Sequence, residues 1–352
     1  MSTQAADPEG AAAIAFGVDI GGTKVLGVAL DAADRVLAEA RVPTPAGGVG
    51  GDPRATTADQ PGRAVANAVA AVVAQLDAAL ASGRDPQSSA PAPAPPVGVG
   101  APGMLDREGR LRFSPNLPQA QGVDWKVLMG ERLKGRTVLI ENDANFAVLA
   151  EHRVGAAQGY RHVVMVTLGT GIGGGLIVDG RVQVGAHGFA GEIGHMVVDP
   201  VGPPCPCGRR GCWERYASGG GLGILAREAA LAGKLPGVVA RSGGDAESVR
   251  GEDVTAAALA GDVDARRVME QVGWWVGFGL ANLACVLDPE CFVLGGGLVG
   301  AGDLLLDSTR RAYAELVEGS AARPDTAIVP AALGERAGAV GAALAARAGG
   351  LW

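Results

Sequence analysis

A chain of 352 residues, 48% of them hydrophobic, has enough apolar material for two cored lobes, which excludes a globally disordered protein. A formal net charge of −7 argues against a general nucleic-acid binder, but it leaves room for a small anion held by backbone amides. Five cysteines, three of them at Cys205, Cys207 and Cys212, are the wrong number and spacing for a disulfide scaffold; beside a histidine they point to a metal in a reducing compartment.

In chain order, residues 1–12 read as a disordered tail with neither the basic nor the apolar run of a signal peptide. Residues 14–20 form a short apolar strand closed by Gly21-Gly22-Thr23-Lys24, and 25–30 and 35–41 continue it as an antiparallel meander. Residues 43–62, rich in Gly, Pro and Thr, read as a loop. Over 63–82, Val65, Val69, Val72, Val73, Leu76 and Leu80 recur at three- and four-residue steps, one helical stripe. Residues 85–96 (DPQSSAPAPAPP) are a low-complexity surface insertion. A buried strand at 97–101, a loop at 113–118, a strand at 137–140 and a helix at 144–153 follow, with Glu141-Asn142-Asp143 at the last joint.

Residues 162–168 form another apolar strand, 169–175 a Gly-rich turn, and 176–178 with 181–184 a hairpin about Asp179-Gly180. Beyond the cysteines, 218–232 is helical, 237–251 a polar loop and 254–287 helical. Within the last, 274–287 is too short and interrupted to span a bilayer and reads as a buried helix. A strand at 291–294 ends in Gly295-Gly296-Gly297; helix 304–316, strand 327–329 and helix 335–348 complete the chain. The stretches FGVDIGGTKVLGVALDAADRV and VMVTLGTGIGGGLIVDGRV share strand, Gly/Thr turn, strand, acidic turn and Arg-Val, as a duplicated α/β unit would. The lobes are expected at 13–142 and 143–352, with the last helix a candidate to pack back on the first lobe.

Asp19, Gly21, Gly22, Thr23 and Lys24 at a strand end can form an anion nest, or simply a turn; they are not a P-loop. Thr170 and Gly171 offer the same choice on the second unit. Gly295, Gly296 and Gly297 offer either a close approach to a nucleoside or tight strand–helix packing. Asn142 or Asp143 can cap the helix that follows; the other reading of Asp143 is a general base that takes a proton from a substrate hydroxyl during phosphoryl transfer. Asn116, Asn142, Glu192 and Glu214 are polar groups in or beside loops; singly each reads as plain surface, and together they could bond several sugar hydroxyls. His195 with Cys205, Cys207 and Cys212 fits a closed tetrahedral zinc set, a knuckle over 195–212, with free thiols the alternative. Cys285 and Cys291, in apolar surroundings, read as core residues.

On these motifs the chain resembles the ROK family (repressors, open reading frames and kinases), and within it the bacterial glucokinases. The resemblance implies an actin-like, RNase H-like duplicated two-lobe fold with an interlobe cleft, and ATP- and Mg²⁺-dependent transfer to the 6-hydroxyl of a hexose. It casts Asp143 as base, Asn116, Asn142, Glu192, His195 and Glu214 as sugar ligands, and His195, Cys205, Cys207 and Cys212 as the zinc site. It also implies a cytoplasmic homodimer or homotetramer whose partner is a small-molecule hexose, not a nucleic acid or a membrane. Two features depart from the family pattern: residues 119–124 intervene between Ser114-Pro115-Asn116-Leu117-Pro118 and Trp125, and the 85–96 insertion is atypical. Too few residues precede Ile14 for a repressor's helix-turn-helix. The competing readings are a kinase of another hexose such as fructose or an N-acetylhexosamine, a polyphosphate-using enzyme, and a sugar sensor without turnover; a sensor has no need of a base at Asp143.

Overall fold

The computed structural model describes residues 14–45, 59–82, 93–114 and 120–351; the tail, most of the 85–96 insertion and Asn116 lie outside them. The chain divides into two compact units, residues 1–158 with 180–190 and 335–352, and residues 159–179 with 191–334.

The first unit begins with β1 (Ala15–Ile20), β2 (Lys24–Leu30) and β3 (Val36–Pro43), each antiparallel to the one before. Helix α1 (Asp59–Ala81) starts inside the stretch expected as loop, with Pro61 in its first turn, where a missing N–H costs no hydrogen bond. Its Gly62–Ala81 segment is long and apolar enough by composition to cross a membrane. The stripe Val65, Val69, Val72, Val73 and Leu76 is instead at most 3% exposed, in the core beneath the sheet. Strand β4 (Val97–Ala101) runs parallel to β1. A small hairpin, β5 (Met104–Leu105) and β6 (Leu111–Phe113), and helix α2 (Trp125–Arg132) were not anticipated. Charged Lys126, Glu131 and Arg132 dilute the apolar pattern of α2, yet Asp124 caps it, its side chain accepting from Val127 N–H at 3.0 Å. Strand β7 (Val138–Asn142) lies parallel to β4 and leads straight into helix α3 (Asp143–Val154). The sheet order is β3-β2-β1-β4-β7.

In the second unit, β8 (Val163–Leu168) and β9 (Ile172–Val178) are antiparallel; past the turn at Asp179-Gly180, β10 (Arg181–Val182) belongs to the first unit. The Gly run expected as a turn is mostly strand: Gly173, Gly174 and Gly175 pair with Thr167, Val166 and Met165. Bare glycine is needed there because a Cβ on Gly174 would overlap the Gly191 carbonyl and the Ile193 side chain. Next come the short α4 (Glu214–Ala217), α5 (Gly219–Leu231), α6 (Pro236–Arg241), α7 (Gly251–Leu259) and the long α8 (Val263–Leu287). Helix α6 occupies what read as a polar loop, with Pro236 at its first position. Helix α8 buries one face only; Trp274 and Val286 are 37% and 79% exposed, and Cys285 is exposed, so neither the buried-helix reading nor the core reading of Cys285 holds throughout. Strand β11 (Cys291–Gly295), with Cys291 buried, helix α9 (Asp303–Leu316) and strand β12 (Ala327–Pro330) follow.

Strands β9-β8-β11-β12 are neighbours in that order, with the first pair antiparallel and the rest parallel. Strands β2-β1-β4-β7 have the same order and directions, so the duplication read from two Gly-rich hairpins extends through each sheet. Helix α10 (Ala337–Ala348) closes the first unit, packing on β1, β4 and α3. A Cβ on Gly17 or Gly98 would overlap the α10 backbone, and one on Gly341 would overlap the Phe146 carbonyl of α3. These bare positions let backbone meet backbone, which is how Ala and Gly fill this core. Helix α3, placed by linear order in the second lobe, belongs to the first unit because α10 returns to cover it.

Candidate active site

Three parallel strands of the first unit deliver a row of carboxylates. Register sets Asp19 of β1 opposite Gly100 of β4, and Gly100 opposite Glu141 of β7. Gly100 is the gap in that row: a Cβ there would stand 3.3 Å from Asp19 Oδ1 and 3.4 Å from Asp143 Cα. Between the two candidate caps of α3, the structure selects Asn142. Its Oδ1 accepts from Ala144 N–H at 2.9 Å and Asn145 N–H at 3.1 Å, and its amide nitrogen donates to the Gly103 carbonyl at 3.2 Å. Glu141 braces the joint, accepting from Asn142 N–H at 2.8 Å and the Asn145 amide at 3.2 Å. Asp143 is thereby relieved of capping and sits at the first helical position, its Oδ1 accepting from Ala144 N–H at 2.9 Å.

Burial dominates the electrostatics of this row. It pushes the Asp143 carboxyl up to about 6, against the Ala144 N–H that favours the anion. It pushes Asp19 up to about 8, assisted by the charge of Asp143 and opposed by Lys24. Burial also raises Glu141. Asp19 Oδ1 is inaccessible to solvent and has no hydrogen-bond partner among the described residues, and the carboxyl abuts Gly338 in the first turn of α10. An orphaned buried carboxylate oxygen is costly unless something missing completes it.

The turn after β1 is tight, Gly21 N–H donating to the Lys24 carbonyl at 3.0 Å, with Gly22 and Thr23 exposed. Thr44 fastens it through its hydroxyl to the Gly21 carbonyl at 2.6 Å. The Lys24 ammonium is not free: it pairs with Glu335, which also holds Arg41 at 2.8 Å.

In the second unit the donor atoms of His195, Cys205, Cys207 and Cys212 all lie within 4.8 Å of one another. Tetrahedral donors around a zinc ion stand roughly 3.5–3.8 Å apart. Here Cys205 Sγ is 3.8 Å from His195 Nδ1, and Cys207 Sγ is 3.5 Å from Cys212 Sγ. Three sulfurs and an imidazole at these distances fit such an ion. Without one, burial and then the neighbouring Glu214 carboxylate push the Cys205 thiol well up; a cation among the sulfurs would reverse that. Nδ1 faces the sulfurs and Glu214 Oε1 at 3.6 Å, while Nε2 faces Glu192 Oε2 at 3.9 Å. Glu214 also accepts from the Cys205 thiol at 2.9 Å and from Ile172 N–H at 3.4 Å, and its carboxylate fills the space a Cβ on Gly171 would take.

The Thr170-Gly171 turn is thus joined to the knuckle. Ser218, capping α5, reaches the Thr170 carbonyl at 3.1 Å and the Glu214 carbonyl at 2.6 Å. The Gly295-Gly296-Gly297 run divides between its two readings. Gly296, at φ +85°, packs against the Leu168 backbone, where a Cβ would overlap; among the described residues Gly297 has nothing within 4 Å of its Cβ direction.

The first unit therefore gathers Asp19, Asn142 and Asp143; the second gathers Glu192, His195, Glu214, Thr170, Gly171 and the three cysteines. Sequence reasoning missed Glu335, Ser218 and Trp213. Ser218 was findable, four residues past Glu214 and ahead of a helix; Glu335 has no local signal, lying 311 residues from Lys24.

A family model described as ROK family matches residues 15–348. Among curated relatives, a glucokinase of Streptomyces coelicolor is 35% identical over 343 residues, covering 95% of this chain and 98% of the relative. A glucokinase of Thermotoga maritima is 37% identical over 251 residues, 71% of this chain and 78% of the relative. Among solved structures, a ROK family glucokinase from Streptomyces griseus in complex with glucose and AMPPNP is similar with a TM-score of 0.79 and 36% identity, over 95% of this chain and 99% of that one.

Proposed function

The chain belongs to the ROK family, with its actin-like two-lobe fold, and on that premise we propose that it is a glucokinase, transferring the γ-phosphoryl group of ATP to the 6-hydroxyl of glucose. The observation that carries this reading is the release of Asp143 from capping. A second residue, Asn142, takes the cap, and the carboxylate is left at the head of α3 with its affinity for a proton raised toward neutrality. A general base works best there, ionised at working pH yet able to take the proton of a hydroxyl. Phosphoryl transfer asks little else of the protein beyond positioning and charge.

Asn116, Asn142, Glu192, His195 and Glu214 are assigned to the sugar. His195 offers its Nε2 edge, since Nδ1 is turned to the sulfurs. Gly21, Gly22 and Thr23, Thr170 and Gly171, and the open Gly297 are assigned to the nucleotide, with Asp19 beside the phosphates and Lys24 reaching them only in competition with Glu335. The unpartnered oxygen of Asp19 suits a hard cation, so Asp19 would hold Mg²⁺, directly or through water. Mg²⁺ supplies charge neutralisation on the transferring phosphate. The Cys₃His set would hold Zn²⁺ as a closed, structural site. A cytoplasmic setting keeps its thiols reduced. Self-association as a homodimer or homotetramer is supported by the second half of α8, which has no charged residue from Trp274 to Leu287 and exposes Trp274 beside Trp275 and Phe278.

A coupled assay across hexoses, with ATP and polyphosphate as alternative donors, tests the proposal. Glucose with ATP should be the preferred pair. Asp143→Asn should lower turnover by about 10²–10⁴-fold with glucose binding retained. Hexose binding without turnover by the wild type would favour a sensor, and near-normal turnover in Asp143→Asn would remove the base role.

A further inference from the structure

Trp213 lies between Cys212 and Glu214, a proposed metal ligand and a proposed sugar ligand, so its placement sets both. We infer that Trp213 is a positioning residue: it locks the knuckle and the Glu214 carboxylate to the middle of α8. The inference rests on the assignment of Glu214 to the sugar. The Trp213 side chain is fully buried, and its indole Nε1–H donates to the Trp275 carbonyl at 2.7 Å. That carbonyl has two lone pairs, so it can take the indole and still serve the helix.

The helix is built to receive the ring. Gly279, one turn beyond Trp275, is where the indole rests; a Cβ there would overlap the ring at Cε2 and Cζ2. Backbone bonds tie the other side, Trp213 N–H donating to the Met196 carbonyl at 2.8 Å, directly after His195. Tyr216 adds a second fastening: its ring sits 4.3 Å from that of Trp275, and its hydroxyl donates to Asp199 at 2.9 Å. An apolar residue at 213 would fill the space equally well. Only an indole adds a directional bond, and that bond fixes the rotation of α4 and hence where Glu214 points. Glu214 tolerates little error, because it already meets Cys205, Ile172 N–H and His195 at once.

Trp213→Phe keeps a ring and removes the donor. Glucose affinity, read by calorimetry without nucleotide and as KM, should weaken about tenfold, as expected when a buried hydrogen-bonding group loses its partner. Turnover at saturating glucose and KM for ATP should stay within about twofold, and zinc content should be unchanged. Should Trp213→Phe not fold, Gly279→Ala displaces the ring while keeping its N–H, and the same split is expected. Wild-type glucose affinity in the folded variant would overturn the inference, as would equal loss in turnover and in both KM values. Failure of the kinase assignment is distinguishable: it shows in the wild type, as no turnover of any hexose, whereas the calorimetric comparison still reads Trp213.

Discussion

At the residue scale, the decisive event is a swap of roles between two neighbours. Asn142 and Asp143 are both good helix caps, and either would serve. Because Asn142 caps, Asp143 keeps its carboxylate at the cost of holding it in a poorly solvated place. The sign of that cost is testable. A carboxyl whose affinity for protons is higher folded than unfolded favours the folded state at low pH, and the advantage is lost as pH rises from about 4 through about 6. At about 1.4 kcal/mol per pH unit, an ionised Asp143 costs the fold at most about 3 kcal/mol at neutral pH, less whatever solvent reaching it recovers. Asp143→Asn should therefore melt a few degrees higher than wild type at pH 7.5 and indistinguishably at pH 4, by calorimetry. Turnover in the wild type should drop as pH falls below about 6, as the proposed base is protonated. A variant that melts lower at pH 7.5, or a rate indifferent to pH between 5 and 7, would contradict this account of Asp143.

At the element scale, the knuckle, α4 and the Thr170 turn form one connected piece. Gly211, at φ +64°, brings its loop against the Asp199 carbonyl, where no side chain would fit, and so closes the loop on itself. Glu214 begins α4 directly after the last cysteine, and Ser218 ties the end of α4 back to Thr170. An ion among the four donors would hold this piece in shape as well as stabilising it. Cys207→Ser should lose zinc by elemental analysis and weaken glucose binding by about tenfold or more. Affinity for a nucleotide analogue should change much less, because Gly21, Gly22, Thr23 and Gly297, the residues proposed for the nucleotide, are not part of the knuckle. A folded, zinc-free Cys207→Ser protein with normal glucose affinity would break the link between metal and sugar.

At the scale of the whole molecule, neither unit is one continuous stretch of chain. The first is completed only by α10, after the second has been traversed. Ten of the twelve residues of α10 are buried, among them Val340 and Leu344, against β1, β4 and α3. Losing that burial would remove on the order of 10 kcal/mol, comparable with the whole stability of an ordinary domain, about 5–15 kcal/mol. A chain ending at Gly334 should therefore fail to fold its first unit. Limited proteolysis should cut throughout residues 14–158, and the emission of Trp125, fully buried in the intact protein, should shift toward that of a solvated indole. A truncated chain with native protection there would show that α10 is dispensable.

Features settled within a few residues of chain were legible from residue order alone. The cysteine spacing at 205–212 can close on one ion because the loop is short and carries glycines. The strand–turn–strand units announced a duplicated fold because alternation and turn chemistry are local properties. The joint at 141–143 stood out because three polar residues end an apolar strand. Tertiary structure decided the rest. It chose Asn142 as the cap, made Gly173, Gly174 and Gly175 strand residues, exposed Cys285 while burying Cys291, and put α3 in the first unit. It also joined Trp213 to Trp275, 62 residues on, and Lys24 to Glu335, 311 residues on. The reason is physical: propensity and spacing act over a turn or two of chain, whereas burial, the partner of a charge and the need for a bare Cα are set by whatever packs opposite, and a single sequence carries no mark of that neighbour.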